Sequence, residues 1–254
     1  LRKWLGGTGL GVHYLMQEVQ PGTQWNDAEN PVFICTGPLA GTRVSGTGTV
    51  SVVFKGPMNG LAGATQANGY LGAFLRTHGY IGIAVTGKAQ GLTRLHIDEK
   101  GVRLLDAGRY AGLPVWQLED TIRGEENLTD KQLSVFGIGP AGEHKVRFSA
   151  FVGDRGHVAS HNGIGAVLGE KNLKAITCKR GKVRPHVEDD KRLNELVKPL
   201  FIDAKEFGGG GIYNWGTGGG VSGAARGGWL PIKNYTTSIF EEHEKVSGQY
   251  LRGN

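Results

Sequence analysis

The sequence predicts an α+β fold with an internal duplication, followed by the beginning of a helical segment. Three observations predict it. Short apolar runs bounded by glycine and proline read as strands and alternate with a few helix-compatible stretches. One succession occurs twice: a strand ending in Gly-Pro (37–38 and 139–140), a second strand, Asn-Gly (68–69 and 162–163), a helix and a last strand. From Arg184 the texture changes to charged residues with apolar ones at helical spacing, which divides the chain into 1–184 and 185–254.

The elements follow in order. Gly6-Gly7-Thr8-Gly9-Leu10-Gly11 opens as a glycine-lined turn into helix-compatible residues 12–19. PVFICT (31–36) reads as a buried strand stopped by Gly37-Pro38, and VSVVF (50–54) as another closed by Gly56-Pro57. The pattern predicts a helix over 69–77, a strand over 81–86 and a turn at Gly87-Lys88. Residues 92–97 and 102–105 predict a hairpin around Glu99-Lys100-Gly101, and 113–123 an amphipathic helix. The second pass brings strands over 133–138 and 146–152, a polar loop, Asn162-Gly163, a short helix and a strand over 173–178. Lys88 and Lys182 each lie 20 residues after their asparagine, which strengthens the duplication. Past Pro185-His186, Leu193, Leu196, Val197 and Leu200 mark a helix over 187–207 that Pro199 should kink or end. The eleven glycines of 208–228 predict loop, or backbone packed closely against something.

Composition bounds the function. Glycine is abundant, with 44 in 254 residues, but 39% of the chain is hydrophobic and the prolines have no period. Backbone geometry, not disorder or a collagen repeat, must therefore explain the glycine. The charge of +6 suits an anionic ligand; it is dispersed and lacks the aromatic-flanked basic cluster of a nucleic-acid surface. No stretch approaches the roughly 18 apolar residues of a membrane span, and no signal-peptide pattern opens the chain. Cys35 and Cys178, far apart in strand-like runs, point to a reducing, cytoplasmic location. They cannot alone hold a structural zinc or an iron–sulfur cluster. The chain starts at Leu1 without Met and ends on a glycine-rich tail at Asn254, so a fragment is expected.

Few residues suggest chemistry by themselves. The opening G-x-G-x-G lacks the preceding strand and the ribose-binding acid of a dinucleotide site. Asn68 and Asn162 stand where helix N-caps belong, before glycines that leave backbone N–H groups open to an anion. The alternative is that both only cap helices. In the loop 153–162, His157 and His161 are four apart, a spacing that on a helix could serve a metal. The flanking Gly156 and Asn162 favour a loop that hydrogen-bonds phosphate or hydroxyl groups. No nucleophile–base arrangement and no paired carboxylates stand out.

A family resemblance gathers these features. WLGGTGLG (4–11), ENPVFICTGPLAGT (29–42), GYIGIAVTGKA (79–89), GIGPAGEHKVRFSAFVGDRGH (137–157) and NGIGAVLGEKNLKAI (162–176) resemble the N-terminal domain of aldehyde:ferredoxin oxidoreductases. WGTGGG and LPIKNY, within 213–235, look like the start of that family's helical second domain. The resemblance implies a duplicated, two-sheet domain with pseudo-twofold symmetry. Each half would cradle one pterin of a tungsten or molybdenum bis-pterin cofactor, with magnesium bridging the pterin phosphates. Carried over, the cofactor contacts fall at Thr49, Gln66, Asn68, His157, Val158 and Ser160, and the magnesium-bridging carbonyls are those of Gln66 and Val158. Thr49 and His157 stand where the family's aldehyde enzymes place arginine, and Gln66 and Asn68 where they place Asn and Gly. Backbone contacts survive such changes; two bidentate phosphate contacts do not.

The resemblance further implies a [4Fe–4S] cluster held by cysteines beyond this chain and ferredoxin or another subunit as electron partner. It implies an oligomer of the full-length protein. The implied reaction is oxidation of an aldehyde to a carboxylate. The departures raise an alternative, the tungsten subunit of an aryl-CoA reductase; a third is an inactive, truncated pterin-binding module.

Overall fold

Valine, isoleucine and phenylalanine suit a pleated, buried surface, and runs of them build the centre of this protein. The computed structural model describes residues 3–253, and the chain divides after His186 into two compact units. In the first unit α1 (Gly7–Glu18) precedes β1 (Val32–Thr36), β2 (Val50–Lys55), β3 (Ala62–Ala67), α2 (Leu71–Arg76) and β4 (Gly82–Val85). A hairpin of β5 (Thr93–Asp98) and β6 (Gly101–Asp106) then leads to α3 (Val115–Glu126). The unit closes with β7 (Leu133–Gly137), α4 (Pro140–Glu143), β8 (Phe151–Gly153), β9 (His157–Ala159), α5 (Ile164–Glu170) and β10 (Leu173–Lys179).

The strand order is β3-β2-β1-β4 in one sheet and β6-β5-β10-β7-β8-β9 in the other. β9-β8-β7-β10 repeats β3-β2-β1-β4, every pair antiparallel in both. The duplication is therefore one of fold, and β5 joins the second copy by parallel pairing with β10. Registers agree as well. Cys35 pairs with Ser51 and Gly82, as Gly137 pairs with Val152 and Ala175. Val50 pairs with Ala67 and Ser51 with Gln66, as Phe151 pairs with Ala159 and Val152 with Val158.

This register corrects the repeat read from words. Asn68 corresponds to Ser160, the residue following Ala159, and not to Asn162. The matching Asn-Gly spacing is coincidental. Other differences have local causes. β3 (AGATQA) escapes sequence reading because alanine and glycine carry little strand signal. The expected strand over 146–152 shrinks to Phe151–Gly153, since Val146 and Ser149 close turns with Ala141 and Val146. Part of the expected polar loop is instead β9, formed as β8 turns back on itself.

Three apolar layers hold the unit. The inner faces of both sheets, through Ile34, Val50, Phe136 and Ile176, close with α2 and α5 on one central core. On the outer faces, α1 packs Leu10 and Leu15 against Phe33, Cys35 and Val53, and α3 packs Leu118 and Ile122 against Leu133 and Val135.

The second unit is helical. It comprises α6 (Asp190–Glu206), α7 (Gly211–Trp215), α8 (Val221–Arg226) and α9 (Gly248–Gly253), with 3-10 turns between and one bridge, Ile232 to Thr237. Asp189 caps α6 by accepting from the Arg192 N–H at 2.8 Å, and the helix continues through Pro199 to Glu206. The glycine-rich stretch winds into short helical turns where loop was expected. No described helix is long and apolar enough to cross a membrane.

Candidate functional site

The two repeats bring their outermost strands, β3 and β9, side by side. Cross-links between repeats fix this approach. The His161 N–H donates to Thr65 Oγ1 at 3.1 Å, and Asn162 Nδ2 donates to the Ala64 carbonyl at 3.2 Å. Gln66 and Val158 therefore sit at equivalent register positions on neighbouring strands, and Asn68 and Ser160 two residues further on each. Four of the six family-implied positions thus form two matched pairs. Thr49 and His157 have no such match; the register sets Ala150 and Thr65 opposite them.

On the first-repeat side a cavity of about 400 Å³ opens, lined in part by Thr8, Pro38, Thr47, Thr49, Ser51 and Gln66. Its polar wall is ordered. Thr49 Oγ1 donates to Asn68 Oδ1 at 2.6 Å, Gln66 Nε2 to Thr8 Oγ1 at 3.3 Å, and Thr8 Oγ1 to Ser51 Oγ at 3.0 Å. Gly7 and Thr8, the first residues of α1, reach this wall. Gly6 caps that helix without a side chain, and no acidic residue occupies its first turn. Its N–H groups and positive dipole end are thus not masked by a carboxylate. The glycine-rich opening is accordingly the first turn of a helix at the cavity. On the second-repeat side His157, Val158 and Ser160 are exposed.

Neither asparagine caps a helix. The cap position of α2 is Tyr70, and its N–H donates at 2.7 Å to Asp154 Oδ2, from the other repeat. Asn162 adopts φ +61°, and Gly163 at φ +73° precedes α5 without a side-chain cap. His157 and His161 lie on β9 and in the following 3-10 turn, so the helical spacing imagined for a metal does not arise. Among the described residues no group of three or more His, Cys, Asp or Glu side chains could hold a metal ion.

Asp154 is the residue sequence reading missed. It is buried, and besides Tyr70 it accepts from Ser134 Oγ at 2.7 Å, the Val135 N–H at 3.0 Å and Arg123 Nη2 at 3.2 Å. Burial raises its pKa, and the Tyr70, Ser134 and Val135 hydrogen bonds and the Arg123 charge pull it back. Glu119, also raised by burial, accepts from Arg123 Nη1 at 2.6 Å and the Arg155 N–H at 3.1 Å. The only sequence signal was the Asp-Arg-Gly turn beside the predicted contacts. Cys35 and Cys178 are buried, unpaired thiols; burial pushes Cys35 up to about 11 and raises Cys178 too, so neither offers a thiolate.

The donor set fits a phosphate-bearing ligand with a hard cation. Hydroxyls, amides, backbone groups and a helix N-terminus face the cavity, and such oxygen donors suit magnesium.

Residues 1–180 match the family described as aldehyde ferredoxin oxidoreductase, N-terminal domain. The chain is 35% identical to the tungsten-containing aldehyde ferredoxin oxidoreductase of Pyrococcus abyssi over 252 residues, 98% of this chain and 41% of the relative. The corresponding enzyme of Pyrococcus furiosus is 35% identical over 253 residues, with the same coverage. A WOR-like subunit of an aliphatic sulfonate oxidoreductase from Pyrococcus furiosus is 34% identical over 264 residues, covering 97% of this chain and 41% of the relative. The chain therefore spans about two fifths of the length of these relatives. Among solved structures, the active-site complex BamBC of benzoyl coenzyme A reductase with 1,5-dienoyl-CoA superposes with a TM-score of 0.75. It is 28% identical, over 80% of this chain and 30% of that one.

Proposed function

This chain belongs to the aldehyde ferredoxin oxidoreductase family, and from that premise we propose that residues 1–184 cradle a tungsten or molybdenum bis-pterin cofactor. The enzyme it serves oxidises aldehydes to carboxylic acids and passes electrons to ferredoxin or another electron-transfer subunit. One observation carries the reading: Gln66 and Val158 occupy equivalent registers on two edge strands that the fold lays side by side. Such twin backbone positions suit a ligand with two similar anionic halves.

When bound, the cofactor supplies the redox chemistry; this chain supplies binding, orientation and charge compensation. The carbonyls of Gln66 and Val158 would hold the magnesium. The side chains of Thr49, Asn68, His157 and Ser160, and the open N–H groups at the start of α1, would meet the pterin phosphates. Substituting threonine and histidine for arginine transfers more of the anion binding to backbone and helix dipole. The thiolates of a [4Fe–4S] cluster would come from residues outside this sequence.

A second reading keeps the cradle and changes the reaction to low-potential reduction of an aromatic acyl-CoA. The likeness to the benzoyl coenzyme A reductase complex favours it. Full-length protein purified without oxygen separates the readings. Aldehyde-dependent reduction of a viologen dye supports the first, and reduction of an aryl-CoA the second. Folded protein that contains iron but neither tungsten nor molybdenum refutes both.

A further inference from the structure

We infer that Asp154 is a positioning residue that sets the spacing between the two halves of the cofactor cradle; the inference rests on the function proposed above. Asp154 opens the β8–β9 turn, four residues before Val158, with φ +45°, and Arg155 and Gly156 follow at +66° and +102°. Non-glycine residues in the left-handed region carry strain that their surroundings must offset. At Asp154 a set of hydrogen bonds does so. Oδ1 takes the Val135 N–H and Arg123, both in the second repeat, and Oδ2 takes Ser134 and, from the first repeat, the Tyr70 N–H. The next residue joins the same network, since Glu119 and Asp130 also meet Arg123. The Arg155 N–H reaches Glu119, and its guanidinium meets Asp120 at 2.5 Å and Asp130 at 3.1 Å.

Tyr70 lies two residues past Asn68, so this carboxylate ties the end of one cradle strand to the start of the other. The join is close-fitted. A Cβ on Gly69 would fall 2.8 Å from Asp154 Oδ2, and its φ of +121° already favours glycine. At the other end of the same strands, Thr65 with His161 and Ala64 with Asn162 make the second join. The facing edges are thus pinned at two points. Only the Asp154 join uses a buried carboxylate that accepts four donors at once.

An asparagine at 154 must turn its NH2 either toward the Tyr70 N–H, which opens the join, or toward the Val135 N–H and Arg123, which loosens the turn that carries it. In full-length protein loaded with cofactor, Asp154→Asn should fold, by circular dichroism, yet lose pterin and magnesium by about tenfold, the usual scale for an outer-shell partner. Pterin is read by fluorescence after oxidative release, and magnesium by mass spectrometry. Ser134→Ala should lose less, and it carries the test should Asp154→Asn not fold. Ile97→Ala, on β5 and far across the second sheet from β9, should lower Tm comparably while keeping both. Loss of pterin in Ile97→Ala equal to that in the Asp154 or Ser134 variant would make the role merely structural and overturn the inference. So would full pterin and magnesium retention in Asp154→Asn. Wild-type protein without pterin instead overturns the proposed function, and the inference with it.

Discussion

Both repeats cover the outer face of their sheet with a helix, but with different chemistry. Over the first, α1 lays Leu10, Leu15 and the close-fitting Gly11 on Phe33 and Val53. Over the second, α3 adds to Leu118 and Ile122 a buried Glu119–Arg123 pair that continues to Asp154. An apolar layer tolerates small shifts, because burial has no direction. Buried ionic hydrogen bonds tolerate few, since each misplaced group is left unpaired in a low dielectric. The second repeat, which bears the left-handed turn, is also the one with ionic bracing.

Gly163 offers the hardest break. A Cβ there would lie 1.8 Å from the Arg147 carbonyl oxygen, and φ is +73°. The first repeat has Tyr70 at the corresponding place before its helix, with φ −96°. Gly163→Ala should cost on the order of 5 kcal/mol in urea unfolding, or prevent folding. Arg123→Met leaves Glu119 and Asp154 buried without their cation and should cost about 3–5 kcal/mol. Leu15→Ala should cost about 3 kcal/mol by creating a cavity. A nearly neutral Arg123→Met would erase the distinction between the two outer layers.

The smallest effect depends on pH. Burial, then the Arg94 charge, lowers the pKa of His96, which bonds Thr177 through Nδ1 at 2.8 Å. Below the ordinary histidine value of about 6.5, the unfolded chain takes up a proton that the folded one does not. Stability from His96 is therefore full above that pH and falls as pH drops toward the lowered folded value. His96→Gln should flatten this part of a Tm-against-pH curve. An unchanged slope would assign it to other groups.

Much of the fold was legible because β-branched runs and Gly-Pro stops act locally. VFICT, VSVVF and LKAITC needed no tertiary information to be read as strands. The order of the repeat was legible too, but its register was not. Asn68 and Asn162 match as words, whereas pairing across the sheets sets Asn68 with Ser160. The site was legible only through family resemblance, since Gln66 and Val158 share a position and no chemistry. Asp154 left no sign in the sequence beyond the Asp-Arg-Gly turn. Its partner Tyr70 is 84 residues away, and one buried carboxylate leaves no periodic trace.

The central claim is that twin edge strands of this chain hold a bis-pterin cofactor. It is tested most directly by metal and pterin analysis of anaerobically purified full-length protein. Tungsten or molybdenum, two pterins per metal and bound magnesium are expected together. Folded protein with iron but no pterin and neither metal would contradict it.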